Sequence, residues 1–150
     1  MDFRRSSPFD TEGIAVIEEA SFPDPWSARD VSDLITTEGG MCFTAAEDGV
    51  VVAYVLGRLI APEGEIYRVA VREDKRRRGI GYRLLDYAIK SSRGRGLESL
   101  FLEVRSKNTA AIKLYLAHGF TEIGRRKDYY KNPTDDAIIM LKGGRDLIDF

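Results

Sequence analysis

Apolar and polar positions along this chain follow two rhythms, one near 3.6 residues and one near 2. Residues 3 to 6 read as a short edge strand. Ile14, Ile17 and Ala20 then recur on one face of a helix that Asp10 or Thr11 caps and that runs to about Ala20. Two close prolines make Phe22-Pro23-Asp24-Pro25-Trp26 a loop. Ser27, with Asp30 three residues on, caps a second helix carrying Val31, Leu34 and Ile35, and Gly39-Gly40 ends it. Strands follow. Met41 to Ala46 and Val50 to Leu59 flank the hairpin signal Asp48-Gly49. After a turn at Pro62-Glu63-Gly64, Glu65 to Val71 first alternates and then turns continuously apolar, as in a strand entering the centre of a sheet.

The second half alternates helix and strand. Arg72 to Arg78 is a charged loop, and Gly79-Ile80-Gly81 opens a helix with Leu84, Leu85, Ala88 and Ile89 as its stripe. Gly94 and Gly96 stop it, Leu100 to Val104 is a central strand, and Asn108 to Ala117 is a helix closed by Gly119 in a left-handed C-cap. Glu122 to Arg126 and Asp136 to Leu141 are the last strands, joined through Tyr129-Tyr130-Lys131-Asn132-Pro133. A meander over 41–71 with helices interleaved later predicts an α/β domain with a mixed sheet, not a doubly wound one.

Length sets the domain count. At 150 residues there is room for one domain, residues 1–150, with 143–150 as a C-terminal tail whose Leu147, Ile148 and Phe150 dock on the body or mediate self-association. A chain this long buries roughly 68–70% of its unfolded surface and needs no disulfide or metal. Val50 to Leu56, the longest apolar stretch, falls far short of the ~18 residues of a membrane span. The N-terminus lacks the apolar segment of a signal peptide, so a cytoplasmic protein is expected. Charge narrows the classes further. With 23 Lys and Arg against 24 Asp and Glu, the net charge of -1 is not that of a dedicated nucleic-acid binder. One cysteine, Cys42, and one histidine, His118, are too few for a zinc site of the usual ligands. Cys42 reads as a small buried hydrophobe, and His118 as a helix-end residue that favours the dipole.

Chemistry concentrates at three places. The first is Arg76-Arg77-Arg78-Gly79-Ile80-Gly81, after an apolar strand and at a helix start. Glycines let backbone approach a ligand, the helix N-terminus offers free amides, and arginines draw phosphate. It is neither a P-loop nor a dinucleotide fingerprint, since Leu84 stands where the third glycine belongs. A pyrophosphate cradle of another kind remains, beside a tight turn with a solvated basic loop. The second place is Glu103, a carboxylate interrupting the apolar strand Leu100 to Val104. At a strand end it is a candidate base; the alternative is an ion pair with Arg105 or Arg125. The third is the helix on which Asn108 and Tyr115 share a face. Tyr115 is a candidate proton donor, or an aromatic packed on the sheet.

In combination these residues resemble the GNAT superfamily of acetyl-CoA-dependent N-acetyltransferases, and within it the RimI-type protein N-terminal acetyltransferases. The glycine loop and Val69-Ala70-Val71 carry the broader likeness. Phe22-Pro23-Asp24-Pro25-Trp26-Ser27, Leu102-Glu103-Val104-Arg105, Tyr129-Tyr130 and Asp136-Ala137-Ile138-Ile139-Met140 carry the narrower one. The resemblance implies a mostly antiparallel sheet of about six or seven strands with about four helices, parted between the fourth and fifth strands. Acetyl-CoA would lie in the gap. Val69, Ala70 and Val71 would pair with its pantetheine, Arg76, Arg77, Arg78, Gly79, Ile80 and Gly81 would hold its pyrophosphate, and Asn108 would touch the pantetheine arm. Glu103 would be the general base through water and Tyr115 the general acid. Tyr129 and Tyr130, on the loop before the last strand, would shape a peptide groove with Phe22, Pro25 and Trp26. The acceptor would be the α-amino group of a protein, with the N-terminal alanine of a ribosomal protein as one case. Arg68 departs from the asparagine usual there in RimI-like chains; its charge beside the acceptor would favour acidic peptide N-termini. The competing readings are a GNAT acting on lysine side chains or a small-molecule amine, a non-catalytic acetyl-CoA-binding module, and a nucleic-acid module using Arg76 to Arg78.

Overall fold

The computed structural model describes residues 1–143; the expected docking of Leu147, Ile148 and Phe150 lies outside the described residues. Seven strands form one sheet in the order β1-β2-β3-β4-β5-β7-β6. They are β1 (Asp2–Arg5), β2 (Phe43–Glu47), β3 (Val50–Ile60), β4 (Glu63–Val71), β5 (Ser99–Arg105), β6 (Thr121–Tyr130) and β7 (Asp135–Gly143). Gly143, counted with the tail from sequence, pairs with Ser99 inside β7. Four helices cover the sheet: α1 (Thr11–Ser21), α2 (Ala28–Thr36), α3 (Ile80–Arg93) and α4 (Thr109–Ala117). The expected cap of α2 forms, and Asn108 adds a cap to α4. Ser27 Oγ accepts from Asp30 N–H at 3.1 Å, and Asn108 Oδ1 accepts from Ala111 N–H at 3.2 Å. Asp10 precedes α1 without capping it, because its carboxylate takes Arg4 and the Ser7 amide instead.

Two apolar cores lie on opposite faces of the sheet. Ile14 and Ile17 of α1 with Val31 and Leu34 of α2 pack on Tyr54, Leu56 and Ala70. Leu84, Leu85, Ala88 and Ile89 of α3 pack with Tyr115 of α4 on Val55, Ile66, Leu100 and Leu102. Each such buried aliphatic side chain contributes roughly 1.5–3 kcal/mol.

Among the described residues only β4 and β5 run parallel, and they stay together from Glu63↔Ser99 to Ile66↔Leu102. Beyond Ile66 the two strands part. A bulge sits at the same point. Leu56 faces Arg68 and Gly57 faces Ile66, so Tyr67 is the extra residue on β4. The extra residue reverses the side-chain phase. Ile66, Val69 and Val71 join the α3 core, while Arg68 and Ala70 turn to the α1 side. Both faces of the sheet are covered here, which is why Val69-Ala70-Val71 is continuously apolar. Gly57 permits the bulge, since a Cβ there would stand 2.5 Å from the Glu65 carbonyl oxygen.

Two expected connections are strand instead. Glu63 and Gly64, expected in a turn, open β4 by pairing with Ile60 and Leu59. Tyr129 and Tyr130 close β6 and are not on the loop before the last strand. Pairing breaks after Arg126↔Ala137 and resumes at Tyr130↔Asp135, with Asp128 at φ 52°. The sequence pattern ends the strand at Arg126, whereas Lys127-Asp128 continues it as a bulge in an edge strand.

Candidate active site

The parted strands make a wedge floored by main chain. Arg72 N–H donates to Val52 O across to β3. Backbone groups alternate along a strand, so those of Val69 and Val71 point the other way, into the gap. Val71 C=O is taken there by Arg76 Nε at 2.9 Å. The Val69 and Val71 N–H groups and the Val69 C=O have no strand opposite.

At the end of the wedge α3 begins. Gly79 caps it at φ 75°, and Arg77 before it lies at φ 65°. These turns leave the amides of Arg77 through Gly81 without a backbone partner among the described residues. With the α3 N-terminus behind them they form an anion cradle. A Cβ at Gly79 would meet nothing within 4 Å, so the glycine is there for its dihedral. Gly79→Val forces a β-branched residue into a region that costs about 1–2 kcal/mol. Acetyl-CoA affinity, read by calorimetry, should fall about 5–30-fold if binding needs the loop as it stands. Gly79→Asn, which tolerates that region, should bind nearly as wild type; equal affinity of all three would make the loop only a turn.

The wedge is a cleft of about 780 Å³ lined by Val69, Ala70, Val71, Arg76, Arg77, Gly79, Ile80, Gly81 and Asn108. Arg78, expected with them, is exposed and outside the lining. A smaller cavity of about 60 Å³ adjoins it, sharing Phe22, Val69, Arg105 and Asn108. Glu103, Tyr115, Arg68 and Tyr130 meet in this second cavity. Pro25, Trp26 and Tyr129 line neither. Trp26 packs on Tyr67 with ring centroids 5.5 Å apart, and Tyr129 stands edge-on to Tyr130 at 5.1 Å.

Glu103 lies on β5 just past Leu102, the last residue paired with β4. Its nearest cation is neither Arg105 nor Arg125, as the ion-pair alternative had it, but Arg126 at 3.7 Å. Arg105 instead donates to Pro133 O at 2.8 Å and Lys131 O at 3.1 Å and stacks over Tyr130 at 4.4 Å. Tyr115 is 4% exposed, and its ring rests on Phe120 at 5.6 Å. Burial, with the nearby Tyr130, holds its hydroxyl proton well above the ordinary tyrosine range. Burial and Glu103 push Tyr130 up to about 12. Burial, then Glu103, also raises Glu65. Asp135 accepts from Ser106 Oγ, Lys107 N–H and Asp136 N–H, and the Ser106 bond leads in lowering its pKa. These bonds fix the β5–α4 loop that presents Asn108.

Several participants escaped sequence reasoning. Tyr67 lines the small cavity, as does Arg105, which the sequence offered only as an ion-pair partner of Glu103, and Glu18, wholly buried, pairs with Arg68 of the lining at 3.4 Å. Only Arg105 had a visible signal, its place two residues after Glu103. His118 is corrected: it is buried and stacked on Tyr82 at 3.9 Å, and burial lowers its pKa, so at neutral pH it brings no charge to the helix end. Lys142 Nζ takes that role by donating to His118 O. Cys42 is buried as expected, its thiol pushed up to about 11 by burial. No helix among the described residues is long and apolar enough to cross a membrane.

An unpaired strand edge leading to an anion cradle suits an extended thioester of coenzyme A, the acyl donor of one class of acyltransferases. The chain belongs to the acetyltransferase (GNAT) family, whose model matches residues 11–120. It is 34% identical over 126 residues to the ribosomal protein bS18-alanine N-acetyltransferase of Escherichia coli K12, covering 83% of this chain and 84% of that one. It is 32% identical over 143 residues to the N-alpha-acetyltransferase RimI of Mycobacterium tuberculosis, covering 91% and 89%. The crystal structure of the E. coli ribosomal-protein-S18-alanine N-acetyltransferase superposes with TM-score 0.87 at 30% identity, covering 95% of this chain and 92% of that one. The protein is an acetyl-CoA-dependent N-acetyltransferase of RimI-like sequence.

Proposed function

We propose that this enzyme acetylates the N-terminal α-amino group of a protein, with the N-terminal alanine of a ribosomal protein as one acceptor, and that Glu103 and Tyr115 move the protons. The observation that carries the reading is their meeting in one small cavity that opens off the cofactor cleft. The relatives named for α-amino acetylation support the choice of acceptor.

Acetyl-CoA supplies an activated acetyl thioester when bound. Val69 and Val71 offer main-chain groups to its pantetheine, with the Asn108 carboxamide beside them. The amides of Arg77 to Gly81 suit its pyrophosphate. Glu103 draws the proton from the acceptor amine through water. An α-amine has a pKa near 7.7–8.0 against about 10.4 for lysine, so modest help suffices at neutral pH. Tyr115 keeps a proton on its hydroxyl oxygen for the departing sulfur. Phe22, Tyr67 and Tyr130 wall the place of the first acceptor residue, and Trp26 backs Tyr67.

The test is acetyl transfer to two peptide sets, read by mass spectrometry. One set has free N-termini beginning Ala, Ser, Met or Glu and no lysine. The other has blocked N-termini and internal lysines. Transfer to the first set alone is expected; transfer only to the second overturns the acceptor, and binding without transfer to either leaves a module that does not catalyse.

A further inference from the structure

We infer that Arg68 is a positioning residue that fastens the acceptor wall Phe22–Trp26 to the sheet, and not an ionic selector of acidic acceptors. The inference rests on the reading of that wall given under the proposed function. Its basis is a chain of contacts around Glu18. The Glu18 carboxylate is wholly buried on the α1 side of the sheet. Tyr54 Oη donates to its Oε1 at 2.8 Å, and the Trp26 amide donates to its Oε2 at 2.8 Å. Arg68 Nε supplies the opposite charge, 3.4 Å from Oε1. The same guanidinium reaches onward. Its Nη2 donates to Asp24 O at 2.6 Å and lies 3.3 Å from Asp24 Oδ1, and its Cζ sits 4.0 Å above the Phe22 ring.

One planar cation therefore touches Glu18, Asp24 and Phe22 at once. Glu18 in turn grips the backbone of Trp26. The loop between α1 and α2 has two prolines and no regular structure, so these contacts set its place. The charges argue the same way. Arg68 stands between two carboxylates, Glu18 and Asp24, with its side chain only 14% exposed. That cluster has no surplus positive charge to offer an acidic acceptor. The bulge at Tyr67 turns Arg68 toward α1 while Val69 faces the cofactor cleft, so one bulge serves both halves of the site.

Geometry separates this role from charge selection. Lysine keeps the charge but not the planar fork, and cannot pair with Glu18, bond Asp24 and stack on Phe22 together. Trp26 is the sole tryptophan, so its fluorescence reports the loop directly. The experiment compares wild type, Arg68→Lys and Arg68→Gln on peptides beginning Ala, Ser and Glu. It also measures acrylamide quenching of Trp26 and acetyl-CoA affinity. For Arg68→Gln, KM should rise roughly tenfold on every peptide alike with kcat nearly unchanged, inside the ~100-fold that an ångström of misplacement costs. Trp26 quenching should rise, acetyl-CoA affinity should hold, and Arg68→Lys should restore only part of the loss. Selective loss of the Glu-first peptide with full rescue by lysine would overturn the inference in favour of a charge selector. Unchanged quenching in Arg68→Gln would overturn it as well. Should the wild type acetylate no peptide, the acceptor reading falls instead, and the quenching result alone decides whether Arg68 fastens the loop.

Discussion

Tyr115→Phe is expected to lower kcat by about 100-fold or more, the range a positioned acid contributes, while leaving the protein as stable as before. The stability half follows from the packing. The ring carries the contacts, resting on Phe120 at 5.6 Å within the core that α3 and α4 share, and phenylalanine keeps it. The hydroxyl makes no hydrogen bond to the protein among the described residues. Removing it strands no buried partner, which is the usual source of large losses. The activity half follows from where the hydroxyl sits, in the cavity that Glu103 also lines. Its raised pKa also fixes a sign. The proton stays on through pH 10, so tyrosine ionisation should impose no fall in wild-type kcat at or below that pH. Acetyl-CoA affinity should match wild type within about twofold, about 0.4 kcal/mol. Full activity of the variant would remove Tyr115 as the acid, and a large drop in melting temperature would make its role structural.

The sequence made some parts of this molecule legible because the signal was local. Gly79 and Gly81 stand between a charged loop and an apolar helical stripe, so a turn into a helix start was visible there. Glu103 breaks an apolar run, so a carboxylate at a strand end was visible without any contact map. The bulge at Tyr67 was not, because a slipped phase shows only against the partner strand. The register Leu56↔Arg68 and Gly57↔Ile66 pairs residues twelve and nine positions apart. Edge strands hide for another reason. Nearly all of β6 is exposed, so nothing imposes alternation on Lys127 to Tyr130, and the strand legible in sequence stops at Arg126. Glu18 shows the hardest case. It stands beside Glu19 in one helix, and only the second is exposed. What buries Glu18 is Tyr54 and Arg68, 36 and 50 positions on, and no local pattern announces them.

Glu103→Gln should separate the base from its surroundings, because the change keeps size and removes only the proton affinity. Its stability cost is small. Glu103 meets Arg126 at 3.7 Å, and that arginine side chain is 56% exposed, a pair worth at most about 1 kcal/mol. The rate should fall about 100-fold near pH 6, where an α-amine is almost wholly protonated and must be relieved of its proton. Above pH ~8 the free amine is abundant, and the deficit should shrink with each further unit of pH until the variant approaches wild type. This closing of the gap is what a base predicts; a residue that only shapes the cavity would lower both limbs equally. The same profile reports the acceptor. A lysine side chain, with pKa near 10.4, would keep its proton two units longer. The deficit would then persist undiminished to about pH 10, and a gap that persists on an α-amino peptide would deny Glu103 the role of base.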